Sequence, residues 1–169
     1  MTMPPNLPAA SWTLPAESLD RAQSRFLGCL LGGAVGDALG APIEFMRLEE
    51  IRERFGRQGV RGYLRAYGRL GAITDDTQMS LFTAEGLLRG WVRGQTKGIT
   101  TYQGVVAHAY LRWLKTQGIK PTCEMTPDAE GWLYGLPELH HQRAPGVTCL
   151  SALRGMKELG EPARNNSKG

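Results

Sequence analysis

The sequence predicts an all-α protein, and three observations carry that prediction. Apolar residues recur at helical spacing in several separate segments, and irregular loops rich in glycine and proline join those segments. No run alternates apolar and polar residues in the way a half-buried strand would. The chain has 169 residues, of which 41% are hydrophobic and 21% charged, the composition of an ordinary globular domain. At that length folding buries about 70% of the surface of the unfolded chain, so a core forms without help from disulfides or a structural metal.

Taken in order, the first twenty residues hold Pro4, Pro5, Pro8 and Pro15 and no apolar periodicity. They predict a flexible arm (residues 1–20) ahead of one domain over residues 21–169. From about Ser24, the residues Leu27, Leu30, Leu31, Ala34, Val35 and Ala38 make a stripe for a helix that faces a core. Gly28, Gly32, Gly36 and Gly40 make a second stripe on the same helix. Each costs about 1 kcal/mol against alanine, so another backbone is expected to approach that face. Arginines then crowd the segment from Arg47 to Arg69, interleaved with Phe55, Tyr63 and Tyr67 but diluted by Glu49, Glu50 and Glu53. A solvated helix followed by a loop accounts for it better than a nucleic-acid face.

A second core helix is expected near Thr77, with Leu81, Ala84 and Leu88 inward and Gly90 at its end. The third is the clearest: Tyr102, Val105, Val106, Ala109, Tyr110, Trp113 and Leu114 share a face, with Lys115 and Gly118 closing it. A weaker fourth helix is expected over residues 129–139. A fifth runs from Thr148 to Leu159 and stops at Gly160 and Pro162.

Cys29, Cys123 and Cys149 form no CxxC pair, and the amino terminus shows neither a basic segment nor an apolar run of the signal type. A reduced, cytoplasmic setting is expected. The uncharged run over residues 26–36 is far short of the roughly 20 apolar residues of a membrane span. No serine-nucleophile motif or nucleotide-hydrolase phosphate loop occurs.

The chemistry-bearing stretch is Ile73-Thr74-Asp75-Asp76-Thr77-Gln78-Met79. Two adjacent carboxylates and two hydroxyls at a helix start suit a hard cation such as Mg²⁺, and the lack of Cys or His argues against zinc. Asp75 followed by Gln78 is equally a capping box, which needs no ligand. Asp37, inside the glycine-rich helix, is costly to bury unless paired or bound to a cation. Glu44 follows seven residues later, beyond Pro42. His108 is expected to be a satisfied structural histidine, His140 and His141 to lie in a loop, and Cys149 to pack in a core.

Phe26-Leu27-Gly28-Cys29-Leu30-Leu31-Gly32-Gly33-Ala34-Val35-Gly36-Asp37-Ala38-Leu39-Gly40, then Glu44, then Thr74-Asp75-Asp76-Thr77-Gln78-Met79, resembles the amino-terminal signature of the ADP-ribosylglycohydrolase family in order and spacing. Arg143-Ala144-Pro145-Gly146 and Asn165-Asn166-Ser167-Lys168-Gly169 also resemble family landmarks. The resemblance implies an all-α, orthogonal helix bundle holding two magnesium ions, with Thr74, Asp75 and Asp76 as ligands. It implies Glu44 as the carboxylate that handles a water or steadies developing charge. Asp37 stands behind the ligands and is counted with Glu44 among the catalytic candidates. Asn166, Ser167, Lys168 and Gly169 would meet the diphosphate of the substrate.

The implied reaction is Mg²⁺-dependent hydrolysis of the bond linking ADP-ribose to a modified protein or a small conjugate. The family's carboxy-terminal Asp-x-Asp-Thr segment has no counterpart here: after Asp76 the sequence offers only Asp128. The resemblance therefore covers an amino-terminal portion, and a shortened chain, a cleaved half or a split gene product with a complementing carboxy-terminal fragment is expected. Trp113 and Leu114 are either part of a surface for that fragment or simply core. The competing readings are a non-catalytic ADP-ribose-binding module and a structural protein that keeps the fold.

Overall fold

The structure, a computed structural model, describes residues 16–125 and 131–161. Its elements run α1 (Ala16–Gly40), α2 (Leu48–Phe55), a hairpin of β1 (Arg65–Ala66) and β2 (Arg69–Leu70), α3 (Asp75–Lys97), α4 (Tyr102–Thr116) and α5 (Val147–Gly155). The all-α expectation holds; the sole sheet among the described residues is the two-residue hairpin, in which Arg65 pairs with Leu70 and Ala66 with Arg69.

The core sits between α3 and α4. Phe82 on α3 and Ala109, Leu111, Trp113 and Leu114 on α4 are fully buried, joined by Leu139, Leu153 and Met156 from the segments that follow. Trp113 and Leu114 are therefore core and leave no exposed face. Close approach of the two helices depends on glycine in α3. A Cβ on Gly86 would stand 2.9 Å from Val106 Cα, and one on Gly90 would stand 2.8 Å from the Tyr102 ring. Gly90 thus does not end the helix as expected. It lets Tyr102 lie flat, and α3 continues to Lys97, where Gly98 (φ 69°) takes the left-handed cap.

Two buried polar groups bind this pair together. Arg112 on α4 donates to Glu85 on α3 through Nε (3.2 Å) and Nη2 (2.5 Å), and Glu85 Oε1 also accepts from the Leu133 amide. Gln78 accepts at Oε1 from Trp113 Nε1 (3.1 Å) and Gln117 Nε2 (3.2 Å), and donates to the His141 carbonyl at 3.0 Å. The capping-box expectation for Asp75 and Gln78 is thereby corrected. The residue capping α3 is Thr74, whose hydroxyl accepts from the Asp76 amide, and Gln78 belongs to the core.

Helix α1 departs most from expectation. Phe26, Leu27, Leu31 and Val35 are exposed, and nothing lies within 4 Å of a Cβ placed on Gly28, Gly32, Gly36 or Gly40. Among the described residues α1 packs chiefly at its carboxy-terminal end, through Asp37, Ala38 and the following Ala41, where α3 meets it. The apolar and glycine stripes specify a helix but nothing among the described residues covers them. The helix also begins at Ala16, taking in the last residues of the expected arm, where prolines give way to helix formers.

Helix α2 has no buried residue, as the solvated-helix reading anticipates, and Glu50 reaches back to accept from the Arg47 amide at 2.9 Å. The expected fourth helix is instead a pair of 3₁₀ turns, Leu133–Gly135 and Pro137–Leu139, since Pro137 removes a donor that an α-helix would need. Residues 126–130, including Asp128, lie outside the described residues. Helix α5 stops at Gly155 rather than Leu159. Cys149 packs against the core as expected, and all three cysteines are free. No helix among the described residues is long and apolar enough to cross a membrane.

Candidate active site

The end of α1 and the start of α3 are joined by one carboxylate. Asp37 accepts from the Thr74 amide at 2.8 Å, from the Thr74 hydroxyl at 2.7 Å and from the Thr77 amide at 3.2 Å, and it also accepts from the Thr77 hydroxyl. Free amides at a helix start attract negative charge, so a carboxylate delivered from a neighbouring helix is well placed there. Both oxygens of Asp37 are engaged in this way. It holds the turn of Thr74, Asp75 and Asp76 in position.

The same turn is braced from the other side by the loop Arg143-Ala144-Pro145-Gly146. The Asp75 amide donates to the Arg143 carbonyl (3.1 Å), and the Gly146 amide donates to Asp75 Oδ2 (3.2 Å). The Arg143 guanidinium is buried and turned onto the carbonyls of Ile73 (3.2 Å) and Glu138 (3.1 Å), which fixes the loop. Ala144 takes a left-handed backbone (φ 56°), an uncommon state for a residue with a Cβ.

Glu44, at the exit of α1, completes an acidic cluster. Its carboxyl is held above the usual range, by desolvation first and then by the negative charges of Asp75, Asp76 and Asp37. Asp75 is likewise raised, chiefly by burial and by Asp76, against the lowering effect of the Gly146 amide. No described cation is paired with the cluster; the single ion pair among the described residues is Arg112 with Glu85. Glu44 and Asp76 keep their oxygens free of hydrogen bonds from other described residues.

Tyr67 belongs to this site and sequence reasoning passed over it. With Gly68 it forms the two-residue loop of the hairpin, both at positive φ (48° and 76°), a turn that normally selects Asn-Gly. Its phenol is raised by burial and then by Glu44, Asp75 and Asp37, so the ring stands in the field of the cluster. A cavity of about 370 Å³ opens here, lined by Tyr67, Gly68, Arg69, His141, Gln142 and Arg143. The only signal in the sequence was a bulky residue before glycine in a turn-rich stretch.

Hydroxyl and carboxylate oxygens without a neutralising cation are the donors a hard divalent ion takes, and Mg²⁺ commonly uses one or two carboxylates while keeping several waters. Asp75 and Asp76 fit that demand in kind. Among the described residues, however, no three His, Cys, Asp or Glu side chains group closely enough to enclose an ion by themselves. Asn166, Ser167, Lys168 and Gly169 lie outside the described residues. His108 is structural but not satisfied, since its buried Nε2 has no described partner. His140 and His141 lie in the loop expected, with His140 Nε2 2.6 Å from the Tyr134 carbonyl.

The all-α chain thus brings its first and third helices together at an acidic turn held by a carboxylate. The profile of the ADP-ribosylglycohydrolase family matches residues 18–169, and the chain belongs to that family. It is 39% identical over 98 residues to the ADP-ribosyl-[dinitrogen reductase] glycohydrolase of Rhodospirillum rubrum, covering 56% of this chain and 30% of that protein. It is 45% identical over 69 residues to an uncharacterized protein of Archaeoglobus fulgidus, covering 39% of this chain and 22% of that protein. The chain thus spans under a third of the curated relatives it matches. No solved structure matches it significantly.

Proposed function

We propose that the chain contributes the acidic half of a site that hydrolyses the glycosidic bond between ADP-ribose and a modified target, with Mg²⁺ bound at Thr74, Asp75 and Asp76. The observation that carries this reading is the uncompensated cluster of Glu44, Asp75 and Asp76 on a turn held by Asp37, in a member of this family. Bound there, the metal would supply Lewis-acid polarisation of substrate hydroxyls and of a water. Glu44, its proton affinity raised by desolvation and then by its acidic neighbours, accepts the proton of the attacking water as the anomeric carbon develops oxocarbenium character. Asp37 is a positioning residue, fixing the ligand-bearing turn through Thr74 and Thr77. Tyr67 and Arg69 line the cavity where the sugar and its phosphates would enter. The name of the R. rubrum relative points to an ADP-ribosylated protein as substrate, and we extend that class, with small ADP-ribose conjugates, to this chain.

Release of free ADP-ribose from an ADP-ribosylated protein, followed with Mg²⁺ and with EDTA, tests the reading. Release that requires Mg²⁺ and falls by about a hundredfold or more in Glu44→Gln supports it, whereas release indifferent to both changes sinks it. A second reading, binding of ADP-ribose without hydrolysis, is favoured by the lack of three enclosing ligands among the described residues. It predicts ADP-ribose binding that does not respond to Mg²⁺.

A further inference from the structure

A larger cavity, of about 790 Å³, lies at the other end of the α3 and α4 pair. Arg89 in its wall is fourteen residues beyond Asp75 on the same helix, about 20 Å away at 1.5 Å per residue. The two cavities share no lining residue. Arg89, Arg93 and Lys97 follow one another at intervals of four, so all three project from one face of α3 into the cavity. Val92, Val105 and the largely exposed Trp132 supply apolar and aromatic wall.

No Asp or Glu lines this space among the described residues, and no described carboxylate pairs with its three cations. Like charges at a spacing of four repel along a helix, and an anion between them relieves that repulsion. His108 on the facing helix also lines this cavity. Its pKa is pushed down to about 4, by burial first and then by Arg112, Arg89 and Lys115. The imidazole is therefore neutral at neutral pH and offers the cations no extra repulsion.

We propose that this cavity binds a small organic phosphate bearing a planar ring, with the phosphate on Arg89, Arg93 and Lys97 and the ring on Trp132. Guanidinium groups take phosphate through paired charge-assisted hydrogen bonds, and an exposed indole gives a ring a stacking surface. The volume lies within the range of small-ligand pockets, roughly 300 to 1,000 Å³, which favours such a ligand over an acidic protein segment. A nucleoside monophosphate has both parts.

Calorimetric titration with AMP, inorganic phosphate, adenosine and a polyglutamate peptide tests the proposal on the unmodified chain, Arg93→Ser/Lys97→Ser, Trp132→Ala and Asp75→Ala/Asp76→Ala. Arg93, Lys97 and Trp132 are exposed, so those substitutions leave the core untouched, and circular dichroism verifies it. AMP is expected to bind at least about tenfold more tightly than phosphate or adenosine, and to weaken at least about tenfold in the basic-pair and Trp132 variants. Its affinity should not change in Asp75→Ala/Asp76→Ala. Any of four results overturns the proposal: no AMP binding at millimolar concentration, equal affinity for AMP and phosphate, loss confined to the aspartate variant, or binding of a polyglutamate peptide in place of AMP.

Discussion

Asp37 receives both the amide and the hydroxyl of Thr74, at 2.8 and 2.7 Å, across 37 residues of sequence. This pair is the joint by which a helix otherwise exposed along most of its length is fastened to the rest of the fold. It also fixes the turn that carries the two aspartates.

Replacing Asp37 by Asn leaves one acceptor oxygen where two are used and turns an NH₂ group toward hydroxyl and amide donors. Hydrogen bonds to a charged group are worth about 1.5–3 kcal/mol each in net terms. Asp37→Asn should lower unfolding stability by about 2–3 kcal/mol in urea titration. A loss below about 0.5 kcal/mol would mean that the turn is held by other contacts.

Two glycine-to-alanine substitutions should act in opposite directions. Gly86→Ala puts a methyl 2.9 Å from Val106 Cα, a backbone atom that cannot step aside, and should cost about 1–3 kcal/mol. Gly32→Ala meets open space and should gain up to about 1 kcal/mol from helix propensity. Thermal melts of the two variants settle the comparison, and a destabilised Gly32→Ala would show that the face of α1 is covered in solution.

Removing one member of the buried ion pair leaves the other charge stranded. Glu85→Ala should cost about 3–5 kcal/mol, because Arg112 is almost fully buried and keeps no carboxylate. Glu85→Leu/Arg112→Leu, which removes both charges, should recover most of that loss in denaturant unfolding. Equal losses in the single and double variants would assign the effect to packing instead of charge.

His108 makes stability depend on acidity. Its folded pKa of about 4 lies below the unfolded value of 6.5, so between those values the unfolded chain holds a proton that the folded chain does not. Stability from this group is fully present above pH 6.5 and is lost as pH falls toward 4, by roughly 3 kcal/mol at most. His108→Leu should flatten that part of the curve. An unchanged slope would place the acid sensitivity elsewhere.

Helix α4 was legible because the middle and end of its stripe are used: Ala109, Trp113 and Leu114 lie where the spacing puts them, fully buried. The stripe of α1 was equally periodic, yet periodicity says that a face is apolar and not what lies against it. Glu85 and Arg112 look like surface charges in sequence, since a separation of 27 positions hides their pairing. At the site, Asp75 and Asp76 stood out in the sequence because adjacent carboxylates carry a chemical meaning, and Glu44 stood out through the family resemblance. Tyr67 and the bracing by Arg143 depend on left-handed turns and long-range contacts that no local pattern encodes.

The most direct test is calorimetric titration of the chain with ADP-ribose, with and without Mg²⁺, beside Asp75→Ala/Asp76→Ala. Binding should strengthen with Mg²⁺ and be abolished by the double substitution. Binding that ignores both the metal and the two aspartates would contradict the proposed metal site.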